Sequence, residues 1–174
     1  MDDDERRTRV ETALLPHLDA AYDLARWLVR NDGDAEDVVQ DAYVRAFRHV
    51  DGLRASDGRA WLLTIVRNTA YTWLRRRGAA EPATLAVVED APDESTPSPE
   101  TALLRDADRT LVRAALEALP VEFREVLVLR ELEGLAYKEI ATVVDVPIGT
   151  VMSRLARART RLHRELTRRA ARGG

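Results

Sequence analysis

The sequence contains no cysteine, which excludes disulfides, thiolate zinc sites and thiol redox sensing within the chain. No apolar run approaches the roughly 18–20 residues that span a bilayer, and the chain opens on the acidic stretch MDDDERR rather than a basic, apolar leader. A cytoplasmic location without membrane insertion is the expectation. Only 5% of the residues are aromatic, which together with helical patterning argues for compact all-α units. Lysine is almost absent: Lys138 stands alone, and arginine carries the remaining basic charge. Catalytic patterns are missing too. There is no phosphate-binding GxxxxGKS/T loop, no HExxH pair and no GxSxG elbow, and His17, His49 and His163 lie far apart. Neither an enzyme nor a metal, cofactor or small-molecule site is expected.

What is present is an uneven distribution of charge. Residues 1–78 carry a net −1, residues 79–108 a net −7 and residues 109–146 a net −2. From Pro147 to the end there are eight arginines and one acid, Glu165, in a chain whose total is −3. A solvated helix face usually mixes signs, whereas charge of one sign is the footprint of a polyanionic partner. Between the near-neutral bodies lies a Pro-containing stretch, 79–100, that reads as a flexible acidic linker. Its charge suits a cationic channel built for nucleic acid, or merely a solubilising spacer.

The strongest pattern lies in Gly134–Leu162, GLAYKEIATVVDVPIGTVMSRLARARTRL. It reads as a helix, a tight turn at Asp145–Pro147 and a second helix. Val151, Leu155, Ala158 and Leu162 recur at spacings of four, three and four, and so share one face. Ser153, Arg157, Thr160 and Arg164 repeat that spacing on the opposite, cationic face. Ile140, Ala141 and Val144 on the first helix would pack across the buried face. This is a helix-turn-helix, whose second helix fits the DNA major groove. Gly149, Thr150 and Ser153 keep its start small, where a backbone approaches phosphates.

Upstream, Leu18, Ala21, Tyr22, Ala25 and Leu28 predict a helix over 14–29, stopped by Asn31–Gly33. Asp34 is the expected N-cap of the next helix, to about Val50, with Ala35, Val38, Val39, Ala42, Ala46 and Val50 inside. Asp37, Gln40, Asp41, Val44 and Arg48 form its outer face, which by itself reads as ordinary solvated surface. A loop follows over 51–59, then a third helix over 60–77. Leu62, Ile65, Val66, Thr69, Ala70, Trp73 and Leu74 are its inner stripe, and Thr64, Asn68, Tyr71 and Arg75 its outer one. An exposed Tyr71 beside amides and arginines suits stacking on flipped-out bases; half-buried packing explains it equally well. Further helices are predicted over 101–119 and from Pro120, as first residue, to Glu133, with Gly134 as C-terminal cap. Ala136 stands where a Ser or Thr cap is expected, a loss of about 1 kcal/mol.

Taken in order, these segments resemble the bacterial extracytoplasmic-function (ECF) sigma factors of RNA polymerase. AEDVVQDAYVRAFR (35–48) is similar to the family's core-polymerase-binding helix and AWLLTIVRNTAYTWLRRR (60–77) to its −10-element helix. LPVEFREVLVLRELEGLAYKEIATVVDVPIGTVMSRLARAR (119–159) is similar to its −35-binding domain. The resemblance implies an all-α protein with region 2 at 1–78, a linker at 79–100 and region 4 at 101–174. It implies that Asp37, Gln40 and Asp41 meet the coiled coil of the polymerase β′ subunit. It gives Asn68, with the loop 51–59, to the flipped-out base of the −10 strand, where the outer residues Tyr71 and Arg75 also lie. It gives Met152, Ser153, Ala156 and Arg157 to the −35 major groove, with Thr150 and Arg164 on the same helix.

Three positions depart from the family's pattern: Met152 replaces a frequent Lys or Arg, Thr72 a frequent Asp, and Ala136 the usual cap. An anti-sigma factor, often membrane-anchored in this family, is the implied regulator. Two rivals remain: a stand-alone helix-turn-helix regulator, which leaves 35–77 unexplained, and a sigma mimic that sequesters an anti-sigma factor, which should have lost Asn68 and Arg157.

Overall fold

The computed structural model describes residues 1–54, 58–78 and 109–173; the acidic stretch 79–100, residues 101–108 and the loop residues 55–57 lie outside these. Every regular element among the described residues is helical. α1 (Asp3–Leu14) begins with a reciprocal cap, in which Glu5 N donates to the Asp2 side chain at 2.8 Å and Asp2 N to the Glu5 side chain at 3.2 Å. A 3-10 turn, Leu15–His17, leads into α2 (Leu18–Val29). That turn, with Pro16 in it, rotates the start of α2 so that Leu18 faces outward at 38% exposure, against the expectation of a buried position. Arg30, in the left-handed conformation at φ 61°, ends α2.

α3 (Asp32–His49) starts one turn earlier than expected. Its cap is Asn31, not Asp34: the Asn31 side chain accepts from Asp34 N at 2.9 Å, which leaves Asp34 inside the first turn. All six expected inner residues of this helix and its exit, Ala35 to Val50, are buried. After a 3-10 turn (Val50–Gly52), α4 (Gly58–Arg76) begins two residues early. Gly58 sits so close to α1 that a Cβ there would lie 2.7 Å from the Ala13 carbonyl oxygen, so the helix can start here only on glycine.

The second unit comprises α5 (Arg109–Glu117), α6 (Val121–Leu127) with a π turn (Val128–Leu132), α7 (Tyr137–Val144) and α8 (Ile148–Gly173). Pro120 caps α6 rather than occupying its first position, and Gly134 (φ 69°) reverses the chain after the π turn. Val151, Leu155, Ala158 and Leu162 of α8 are buried as their spacing requires, the valine and the leucines each worth about 1.5–3 kcal/mol of apolar burial.

The two units pack directly on each other, α4 against α7 and α2 against α6. All seven residues of α6 are buried, including Glu122, Arg124 and Glu125. The fully buried Arg124 joins the units. Its Nε donates to Trp27 O (2.7 Å) and Nη2 to Leu28 O (3.3 Å) at the end of α2, while Nη1 donates to Leu119 O (2.6 Å) and Glu117 O (3.4 Å). Carbonyls at a helix C-terminus lack intrahelical donors, so a buried guanidinium there is stabilised by hydrogen bonds and by the helix dipole. Arg59 on α4 reaches both Glu139 carboxylate oxygens (3.3 Å) and Glu133 O (3.4 Å), and Arg30 donates to Glu117 O at 3.1 Å.

Candidate polymerase and nucleic-acid interfaces

On α3 the inward face is apolar, so helical geometry sends Asp37, Gln40 and Asp41 outward together, and all three are exposed. Val44, 50% exposed, and Arg48 continue that surface. A groove bordered by Leu18, Asp19, Tyr22 and Glu36 reaches Gln40 from the side of α2. The outward turn of Leu18 thus adds an apolar residue beside the acidic strip, which spacing alone did not reveal.

On α4, Asn68 and Arg75 are exposed as expected. Thr72 links them: its hydroxyl donates to Asn68 O at 3.0 Å and accepts from Arg75 Nη2 at 3.4 Å. Arg67 Nη1 donates to Asn68 Oδ1 at 3.5 Å. Of the two readings of Tyr71, half-buried packing is the one the structure has. Its ring lies under the Arg67 guanidinium, 3.9 Å from centroid to carbon, and its hydroxyl is buried beside Glu125 without a well-formed hydrogen bond. Burial first, and the Glu125 charge second, push the phenol's pKa well up. Arg67 holds Glu125 through two parallel bonds, Nε–Oε2 at 3.0 Å and Nη2–Oε1 at 3.1 Å. Burial drives the Glu125 pKa up and Arg67 opposes it, the net direction being upward. The preceding loop is anchored from α1: Arg6 pairs with Asp51 at 3.0 Å, and Arg9 Nη2 donates to Leu53 O.

The turn between α7 and α8 forms where Asp145 adopts φ 57° and Val146 N donates to Ala141 O at 3.2 Å. α8 starts with Thr150 N and Val151 N donating to Pro147 O at 2.9 and 3.1 Å. Met152 (53% exposed), Ser153, Ala156 and Arg164 face solvent, while Thr150, Arg157 and Thr160 are half-buried at the edge of the same surface. Not every arginine of this helix belongs to that surface. Arg159 pairs with Glu131 at 2.9 Å, and Arg161 lies over the Phe123 ring at 4.9 Å, so both brace α8 on α6 and its π turn. Arg169 pairs with Glu165 at 2.8 Å. At Ala136 no side-chain cap exists, and Glu139 supplies half of one by accepting from Ala136 N at 2.9 Å. That bond is the main reason the Glu139 pKa falls below the ordinary carboxylate range, Arg59 adding to it and burial opposing it.

Comparison with known proteins follows the same division. Residues 14–80 match the model of Sigma-70 region 2 and residues 109–162 that of Sigma-70, region 4. The chain is 38% identical over 146 residues to the RNA polymerase sigma-H factor of Pseudomonas aeruginosa, covering 79% of this chain and 76% of that one. It is also 38% identical over 135 residues to the ECF RNA polymerase sigma-E factor of Escherichia coli K12, covering 73% and 71%. Among solved structures, the sigma factor RpoE of Bartonella quintana, crystallised with the anti-sigma factor NepR, is similar at a TM-score of 0.69 and 31% identity, over 90% of this chain and 96% of that one. CnrH, solved with the cytosolic domain of CnrY, is similar at a TM-score of 0.63 and 25% identity, over 95% and 98%. With both regions matched in order and relatives of this identity along most of its length, the chain belongs to the ECF sigma factors, the alternative subunits that direct RNA polymerase to promoters.

Proposed function

We propose that each exposed surface engages one component of the initiation complex. Asp37, Gln40 and Asp41 on α3 dock on the β′ coiled coil of core polymerase. Asn68 and Arg75, with the loop before α4, hold the melted −10 strand, and Tyr71 joins them once its ring is uncovered. Met152, Ser153, Ala156 and Arg157 enter the −35 major groove, with Thr150 and Arg164 on the flanking backbone. On this reading residues 1–78 form region 2, 79–100 a linker and 101–174 region 4. The protein acts in the cytoplasm without chemistry of its own, and an anti-sigma factor controls it.

The observation that carries the reading is the sidedness of α3 and α8. On α3 the residues assigned to a partner lie outside; on α8 Met152, Ser153, Ala156 and Arg164 do, with Thr150 and Arg157 half-buried at the edge of that face, while Val151, Leu155, Ala158 and Leu162 are buried in the unit's own core. Met152 fits this reading as an apolar contact, suited to a thymine methyl rather than a phosphate. The test is co-purification with core polymerase. Asp41→Arg combined with Gln40→Ala should weaken association while leaving helicity and melting unchanged, because both positions are exposed. Undiminished association would remove α3 from the interface.

A further inference from the structure

Arg67 has no role in the reading above, yet it neighbours Asn68 on the strip proposed for the −10 strand. In this arrangement its guanidinium is fully engaged. The carboxylate of Glu125, delivered from α6 of the other unit, takes both Nε and Nη2, and the Tyr71 ring stacks on its face. Glu125 is completely buried and the Arg67 side chain is 17% exposed. A planar fork that grips a carboxylate through two parallel bonds grips a phosphodiester by the same geometry. The Arg67 contact to Asn68 and the Thr72 bridge from Asn68 to Arg75 align all four residues along one edge of α4. Removing α6 would bare one continuous strip of two cations, an amide and an aromatic ring, a composition suited to single-stranded DNA.

We infer that Arg67 is a further strand-binding residue, and that Glu125 competes with DNA for it by presenting a carboxylate where a backbone phosphate would bind. The inference rests on the proposed −10 role of the neighbouring strip. In the packed arrangement Arg67 and Tyr71 are withdrawn from DNA while Asn68 and Arg75 remain outside. Apparent affinity for a strand is then the intrinsic affinity multiplied by the fraction of molecules in which the units have parted. Arg67 therefore stabilises the packed form through Glu125 and the strand-bound form through phosphate.

That double role gives two substitutions opposite signs. The probe is a dye-labelled 12-nucleotide single strand of mixed sequence, titrated into the full chain at several salt concentrations. Glu125→Gln keeps the shape and one hydrogen bond but removes the charge, and should bind the strand up to about tenfold tighter than wild type. Arg67→Gln breaks the same pair, yet should bind no tighter than wild type. Adding Arg67→Gln to Glu125→Gln should abolish the gain and lower the slope of log affinity against log salt by about 0.7. Glu139→Gln is an independent route, because it weakens the Arg59 contact between the units from a half-buried position and keeps the bond from Ala136 N. It too should tighten binding, and Arg67→Gln should again cancel the gain. If Arg67→Gln binds as tightly as Glu125→Gln, Arg67 is only a structural tie and the inference is wrong. If neither Glu125→Gln nor Glu139→Gln changes affinity, Glu125 does not compete with DNA and the inference is equally wrong. Promoter-directed transcription by the wild-type protein is scored separately, so a failure of the −10 reading is not confused with a failure at Arg67.

Discussion

Arg124 offers the sharpest test of how the two units hold together. Replacing it with methionine keeps much of the volume and removes every donor. The two shortest bonds, to Leu119 O at 2.6 Å and Trp27 O at 2.7 Å, dominate the loss; those to Leu28 O and Glu117 O are longer. Hydrogen bonds to a charged donor contribute about 1.5–3 kcal/mol each, and loss of the buried charge's own desolvation cost offsets part of that. A net destabilisation of about 3 kcal/mol follows, or a fall in melting temperature of about 6–12 °C for a chain of this size. Roughly half of it lies in bonds that cross between the units, which should multiply the population of separated molecules by about tenfold. Because the sequence has no cysteine, single cysteines at the exposed Val44 and Met152 can carry a donor and an acceptor dye. Arg124→Met should lower the high-transfer population as well as the melting temperature. A lower melting temperature with an unchanged transfer distribution would refute the cross-unit bonds. No change in either would refute the energetic argument for the buried arginine.

Three other consequences can be measured directly. Arg157→Ala should cost about 1–3 kcal/mol against the preferred −35 sequence and relax discrimination at one base, whereas Arg164→Ala should weaken all duplexes alike and reduce the salt slope by about one; equal weakening of every duplex by Arg157→Ala would make Arg157 a phosphate contact. Gly58→Ala places a Cβ 2.7 Å from the Ala13 carbonyl oxygen and should destabilise the first unit by about 1–3 kcal/mol, read in urea unfolding, while an unchanged midpoint would mean that α1 yields freely. Glu139 has a lowered pKa, so the stability it contributes is complete above the ordinary carboxylate pKa of about 4.3 and is lost as pH falls below that value towards the lowered one. Glu139→Gln should flatten that part of the acid-unfolding curve, and an unaltered curve would remove Glu139 from it.

Much of this architecture was legible because short helices announce themselves through spacing. The inner faces of α3 and α8 follow directly from their periodicity, and the tight turn at Asp145–Pro147 lies where one helical pattern stops and the next begins. What escaped depends on contacts between segments distant in sequence. The stretch DGD after Asn31 presents several capping side chains, and Asn31 rather than Asp34 is placed to accept from a backbone amide. Tyr71 lies on the outer stripe of an isolated α4, but α4 packs against α2, α3 and α7, so more than one stripe of it is covered. The same geometry buries Leu63, which the single-stripe reading leaves outside. VEFREVL falls within the helix expected from Pro120 to Glu133. Arg124 and Glu125 are buried there because partners on α2 and α4, some 60 to 100 residues earlier in the sequence, satisfy them. No local pattern encodes that.

The central claim is that one chain, through region 2 and region 4 together, selects the start site of RNA polymerase. Run-off transcription with purified core polymerase tests it most directly, using genomic fragments to find a responsive promoter and then templates altered at −35 or −10. Core with the wild-type protein should yield a transcript of defined length that depends on both elements, and Asp41→Arg with Gln40→Ala should abolish it. A transcript that core produces equally well without the protein, or that ignores both promoter elements, would contradict the account.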